Sequence, residues 1–502
     1  MIRKYRIAAT LVFICILALG VFQAAKSFVA ALNRPIVYQY FDEALNKLPE
    51  TLSTVEWVPA SHPLDRGFEK NDKATIGQSL TEAWAAHANA LATGNAAYLA
   101  DHFSGVALQR ARLSAKERGA RMVILHQAAQ PVFYHSDGSV LQIETQALTV
   151  RFTLKDGRVD SYRLTNDATV TTLLNEATGW RIFSHERRDA TNIAAVPPLA
   201  ASIAPLAGIN YYPAKTPWSK FWPGFDRVQV AKDMLLIKSL GGNAVRIFLQ
   251  RDAFLDPTQA PINLENLRIL LDDAKQAGLV VVPTLFDMRS GYEPGIWPND
   301  YLWLQKVLPI LDAAHNVAYV DLKNEPDLDY TTHGMGTVRA WLMTMAAASR
   351  QIAPNLPLSI GWSRAERAGD LLDVVDVVTY HDYQSVTTSA ARLAEVRKLA
   401  GNKPVQVTEI GASSWAALLG RMPNSPKSQA AALADRFGAL MAADGLFLWT
   451  LHDFPEPDAK AIGRSPWRKG IQSHFGMFNF DGTEKPAATI TRNNFNLLLK
   501  KE

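Results

Sequence analysis

One cysteine in 502 residues, Cys15, leaves this chain without a disulfide framework or a thiolate metal cluster. It has no HExxH, so the common helix-borne zinc motif is absent. Basic runs of the kind that grip phosphate are also missing, and a net charge of +4 spread over this length makes no strong field. Nucleic acid is therefore not an expected partner. A long apolar run occurs once, at residues 7–25. The remainder, 48% hydrophobic and 20% charged overall, is too apolar for disorder and too long for one ordinary core, so two folded domains are expected.

The apolar run decides the expected compartment. Arg3, Lys4 and Arg6 precede "IAATLVFICILALGVFQAA", a stretch long enough to span a bilayer and longer than the usual core of a cleaved signal. With the positive flank inside, everything after about residue 30 lies across the membrane. The expectation is a single-pass anchor, residues 1–32, in the inner (cytoplasmic) membrane with the rest periplasmic or otherwise extracytoplasmic; cleavage near Ala24 or Ala25 gives a secreted protein instead. Cys15 then sits in lipid.

Residues 33–72 are broken by Pro35, Pro49, Pro59 and Pro63 and read as an irregular stalk. Over 73–190 helical spacing in "IGQSLTEAWAAHANALATGNAAYLADHF" gives way to alternating runs, "VLQIETQALTVRFTL", "VDSYRLTNDATVTTLL" and "WRIFSHE", joined by "KDGR" and "NEATG" turns. Helices followed by an antiparallel sheet make a small α+β domain. His87, His102 and His126 fall on expected helices with no carboxylate set beside them, so docking or spacing is its expected role. The alanine- and proline-rich residues 191–205 form a linker.

From residue 206 to 502 strand-like and helical stretches alternate. "AGINYY", "NAVRIF", "LVVVPTLF", "VAYVDL", "PLSIG", "DVVTYHDY", "PVQVTEI" and "LFLWT" are short and mostly apolar, as buried parallel strands are. Eight such units predict a closed (β/α)₈ barrel, and no glycine fingerprint follows the first strand, which argues against a dinucleotide fold. Barrel sites form where the strands end. That rule selects Asn210 and Tyr211, Arg246, Asp287, Asn324 and Glu325, Trp362, then Tyr380, His381 and Tyr383, then Glu409, and finally Trp449, His452 and Asp453. Two carboxylates, an arginine, a tyrosine and tryptophan platforms suit a sugar ring bound by its apolar face and attacked at its glycosidic bond. Trp218, Trp222, Trp297 and Trp415 are further stacking candidates in loops. "GWSRA", from Gly361, falls short of a nucleophile elbow because Ala365 occupies its fifth position.

The "NEP" at Asn324–Pro326, the "TEIG" at Thr408–Gly411, Arg246, the "HDY" at His381–Tyr383 and Trp449 together resemble the cellulase-like clan A glycoside hydrolases, over about residues 205–500. The resemblance implies Glu325 as acid/base, Glu409 as nucleophile of a retaining mechanism, and Asn324, Arg246, His381, Tyr383, Trp449, Asp287, Tyr211 and Trp362 around the substrate, with no metal or cofactor. Where many members carry a histidine at the end of strand 3, "PTLFDMRS" offers Asp287. The small domain is similar in element order to the cone-shaped SnoaL and nuclear-transport-factor-like proteins. The expected function is a membrane-anchored β-glycoside hydrolase or transglycosylase acting on an extracytoplasmic polysaccharide or oligosaccharide, with a protein partner for the small domain. The alternatives are a catalytically silent glycan-binding barrel in an envelope or export assembly, or a small domain that carries the activity on a barrel scaffold.

Overall fold

The computed structural model describes residues 55–500 apart from 117–118, 178, 194–197, 200–202, 290 and 417–423. The expected anchor, the first part of the stalk and part of the linker lie outside the described residues. Among those described, no helix is long and apolar enough to cross a membrane.

The N-terminal domain is a five-stranded sheet in the order β1-β2-β3-β4-β5, with helices Lys70–Thr93, Leu99–His102 and Gly105–Ser114 on one face. Its strands are β1 (Val55–Trp57), β2 (Ala120–Tyr134), β3 (Val140–Lys155), β4 (Arg158–Glu176) and β5 (Gly179–Asn192). β1 pairs parallel to β2 and the other neighbours are antiparallel. Two sequence expectations change here. Residues 55–57, read as stalk, are an edge strand because Val55 is buried and Trp57 packs edge-on against Phe68, their rings 4.7 Å apart. His126 lies on β2, where its Nε2 meets Glu56 of β1 at 3.0 Å.

β3 shows how this sheet serves two cores. Its odd-numbered residues, among them Leu141 and Ile143, face the domain's own helices, while Leu148, Val150 and Phe152 face the second domain. Burial therefore alternates at the start of the strand and becomes continuous over Ala147–Val150, where both faces are covered. Phe152 stacks on Trp297, with ring planes 7° apart and centroids 5.4 Å apart, and the Tyr162 hydroxyl donates to Thr344 Oγ1 at 3.2 Å. The β3–β4 turn comes so close to Gly336 that a Cβ there would lie 2.6 Å from the Gly157 carbonyl oxygen. Glycine is required by that approach.

The second domain is a closed barrel of eight parallel strands: β6 (Leu206–Asn210), β7 (Ala244–Phe248), β8 (Val280–Thr284), β9 (Val320–Asn324), β10 (Leu358–Trp362), β11 (Val378–His381), β12 (Val405–Ile410) and β13 (Gly445–Trp449). These are the eight runs read from the sequence. Leu206, Ala244, Val282, Tyr319, Val377 and Phe447 form an apolar layer of their own. The helices between the strands cover the outside, and the last one, Pro486–Leu499, packs against Pro426–Leu440 and β6.

Candidate active site

At the strand ends the interior changes from apolar to charged. Arg246 of β7 has no exposed surface and donates from Nη1 to Glu409 Oε1 (2.8 Å) and Asn210 Oδ1 (2.9 Å), and from Nη2 to Asp321 Oδ2 (2.6 Å) and Asn324 Oδ1 (2.9 Å). Burial alone would weaken its charge, but Asp321 and Glu409 outweigh that and hold it protonated. Thr284 adds a hydrogen bond to Asp321 at 3.0 Å. The cluster fits because β10 supplies Gly361 beneath it: a Cβ there would lie 2.8 Å from Asp321 Oδ2 and 3.1 Å from Arg246 Nη2.

Glu409, 6% exposed, also accepts from the Tyr383 hydroxyl at 3.0 Å through Oε2. Burial and the two glutamates push the Tyr383 phenol well above its usual range, so it stays a donor, while the outer part of its ring lies open at the mouth. Since Arg246 can only donate, the Asn324 oxygen must face it, which turns the Asn324 amide N–H groups toward the cavity.

Glu325 leaves β9 in a left-handed conformation, φ 49° and ψ 49°, unusual for any residue but glycine. Pro326 explains part of this, because a residue before proline is disfavoured in the right-handed α region. The Glu325 N–H donates to the Gly361 carbonyl at 2.7 Å and fixes the bend. Its carboxylate Oε1 meets His381 Nδ1 at 2.8 Å, and His381 Nε2 lies 3.7 Å from Glu409 Oε1. Burial favours the neutral carboxyl, yet the His381 ring, Lys323 and Arg246 pull Glu325 below its ordinary value. Burial likewise opposes a charge on His381, but Glu409 and Glu325 raise it above its ordinary value. The two side chains thus hold one proton between them, placed largely on the imidazole, instead of Glu325 holding it alone. Atoms of Glu325, His381 and Glu409 all lie within 4.8 Å of one another.

These groups open into a cavity of about 350 Å³ that also receives Asp287, Trp449, Trp218, Tyr212 and Phe248. Tyr212 donates to Asp287 Oδ2 at 2.7 Å, and Gln250 Nε2 donates to the same oxygen at 2.9 Å. Trp449 is held edge-on to Tyr212 and Phe248, and its Nε1 donates to Gln472 Oε1 at 3.3 Å. Ile462, Gln472 and Phe475, from the segment after β13, complete the wall.

Several expected residues stand elsewhere. Tyr211 is fully buried and donates to Asp233 Oδ2 at 3.0 Å, outside the cavity. Side chains alternate across a strand, so with Asn210 turned inward Tyr211 points out and Tyr212 points in. The same parity, with Gly361 inward, turns Trp362 outward, where it is 1% exposed and packs near Tyr330. His452 pairs with Asp233 and Asp453 with Lys485, both away from the cavity. Trp222 is 1% exposed and donates to the Phe248 carbonyl, Trp297 is covered by the N-terminal domain, and Trp415 packs beside Gly470. Tyr212, Phe248 and Gln250 were legible from that parity, since they continue the inward series of Asn210 and Arg246. Gln472 and Phe475 carry no such signal.

No family model and no curated protein matches this chain. Among solved structures, GH5_18 from Streptomyces cattleya in complex with GlcNAc is similar in fold, with 18% identity and a TM-score of 0.50 over 60% of this chain and 82% of that one. The exo-beta-1,4-mannosidase Op5Man5 from Opitutaceae bacterium strain TAV5 gives 20% identity and a TM-score of 0.49 over 61% of this chain and 62% of that one. At 18% identity the likeness to the first of these speaks to the barrel fold alone, and the chemistry rests on the geometry above.

Proposed function

We propose that this protein is a retaining β-glycoside hydrolase whose nucleophile is Glu409 and whose acid/base is Glu325, acting on an oligosaccharide or polysaccharide. The observation that carries this reading is the spacing of the two glutamates, with oxygens within 4.8 Å of one another, because retaining pairs stand roughly 5–5.5 Å apart and inverting pairs roughly 6.5–9.5 Å.

In the first step a Glu409 oxygen bonds to the anomeric carbon as the glycosidic C–O bond breaks, and the leaving oxygen takes the proton held by Glu325 and His381. In the second, Glu325 removes a proton from water, whose oxygen displaces Glu409. Arg246 and Tyr383 hold Glu409 aimed, and an Asn324 N–H meets the sugar 2-hydroxyl, where a bond strengthens as the ring becomes oxocarbenium-like. Asp287, oriented by Tyr212 and Gln250, accepts from a hydroxyl at another edge of the ring, and Trp449 and Trp218 provide its floor. β-Mannosides and β-glucosides are the first substrates to test. The basic flank and apolar run at residues 3–25 support attachment to the cytoplasmic membrane with the barrel outside it, and the helix-then-sheet order of the N-terminal domain supports a cone-like fold.

The test separates the two glutamates. Glu409→Gln abolishes turnover of every substrate. Glu325→Ala retains the first step for aryl glycosides whose leaving groups need no proton, accumulates glycosyl-enzyme, and is rescued by azide to give the β-glycosyl azide. Equal loss in both variants on activated and natural substrates, with no azide product, would leave a barrel that binds glycan without cleaving it.

A further inference from the structure

The helix-covered face of the N-terminal sheet carries a second cavity, of about 40 Å³, which none of the glycoside chemistry uses. It lies between β2, β3, β4, β5 and the helix Lys70–Thr93, and its lining includes Trp84, Gln127, Arg151, Asp167, His185 and Arg187. Several buried polar atoms here have no hydrogen-bond partner: Trp84 Nε1, Gln127 Oε1, Asp167 Oδ1 and, just behind, His87 Nδ1. Gln127 is 2% exposed and Asp167 5%. Orphaned buried groups are rare in folded proteins because each carries an uncompensated desolvation cost, so four in one place call for an explanation.

The charges are as unbalanced as the hydrogen bonds. Arg187 is the nearest cation to Asp167, with its Nε 3.7 Å from Oδ1, too far for a hydrogen bond. Arg151, exposed at the same rim, makes no hydrogen bond or salt bridge among the described residues, and partial desolvation and the like charge of Arg187 depress its basicity. His87 and His185 are pushed down to about 4, both chiefly by burial, and so are neutral near pH 7. Two guanidiniums against one carboxylate leave a single positive charge, at a mouth where Arg187 is 45% exposed and accessible from outside.

We propose that this cavity binds a small hydroxy-carboxylate monoanion, its carboxylate on Arg151 and Arg187 and its hydroxyl donating to Asp167 or Gln127. Each part of the ligand answers one imbalance. A monoanion cancels the surplus charge, and the carboxylate oxygens accept from the guanidiniums and Trp84 Nε1. A carboxylate alone has nothing to donate to Asp167 Oδ1 and Gln127 Oε1, and a hydroxyl does. The enclosed volume takes only the polar end of such a ligand, the carboxylate and part of the adjacent hydroxyl-bearing carbon, with the rest of glycolate or lactate at the open mouth beside Arg187. The site is independent of the barrel, with lining residues that belong to the N-terminal domain alone.

The experiment is isothermal titration calorimetry of residues 55–502, which span both domains, with L-lactate and glycolate, and with acetate and inorganic phosphate as comparisons. One hydroxy acid is expected per chain, with acetate and phosphate at least tenfold weaker. Arg151→Gln and Trp84→Phe should each weaken lactate tenfold or more, while hydrolysis of an aryl glycoside stays at the wild-type rate and an unchanged circular-dichroism spectrum and melting temperature certify the fold of each variant. Should Arg151→Gln not fold, Arg151→Lys provides the second variant, since it keeps a charge at the rim and removes the planar fork that pairs with a carboxylate. No binding of either hydroxy acid, acetate as tight as lactate, phosphate tighter than lactate, or unchanged affinity in a folded variant would each overturn the proposal.

Discussion

The two arginine-containing clusters of this chain are built to opposite rules. Around Arg246 every charge has a partner already in place: four acceptors from three strands, β6, β9 and β12, converge on one guanidinium with no exposed surface. Around Arg151 and Arg187 donors and acceptors sit near each other without bonding. The first is preorganised, its order secured by folding before a substrate arrives, as stabilisation of developing charge requires. The second is left open, so that a ligand supplies the missing partners. A stability measurement distinguishes the two, because only in the first does removing one member break short hydrogen-bonded ion pairs.

Breaking the first cluster gives the largest effect. Arg246→Met leaves Asp321 and Glu409 buried without their cation, and a cost of roughly 3–5 kcal/mol is expected in denaturant unfolding, with activity lost as well. A loss below ~1 kcal/mol would mean that the cluster is not held by its charges.

His381→Gln tests the shared proton. His381 is raised above its ordinary value by the glutamates, so the wild-type pair keeps its proton to higher pH than a free imidazole would, and the rate falls as it is lost on the alkaline side. With glutamine in place the proton resides on a carboxyl alone, and the alkaline limb of kcat/KM moves toward acid. A rate profile with an unmoved limb would assign the proton to Glu325 by itself.

Asp287→Asn keeps the shape of the cavity and removes a charge that Tyr212 and Gln250 orient. A fall in kcat/KM of roughly ten- to a hundredfold is expected, about 1–3 kcal/mol, with little change in melting temperature. If activity is unchanged, Asp287 only anchors Tyr212.

Arg187→Gln in the other cluster gives the smallest effect. Its ion pair is long and half in solvent, so the ligand-free protein should change by less than ~0.5 kcal/mol. A large loss here would erase the contrast, since it would make this cluster a structural one too.

Much of this was legible in the chain. The eight strands appeared as short apolar runs because a parallel strand covered on both faces has no polar alternation to disguise it. Asn324, Glu325 and Glu409 stood out because polar groups ending such runs have nowhere to go except the barrel mouth. Parity was legible too, and its neglect put Tyr211 and Trp362 on the wrong side of their strands. Residues 55–57 hid their strand because three residues among prolines carry no period, and β2, which lies over the segment of His126, became clear only beside its neighbours.

The sequence by itself determined the strand count, the polar ends of the strands and the order in which they come, since these depend on local pattern and on which face of each strand must avoid water. Tertiary structure decided everything that depends on distance between segments remote in the chain: Arg246 reaching Asp321 and Glu409, His381 bridging the two glutamates, the post-β13 segment closing the cavity, and the N-terminal sheet covering Trp297. Pattern specifies which groups are buried, but pairing energies arise only when the closed barrel brings those groups within a few ångströms, and no local period encodes that closure.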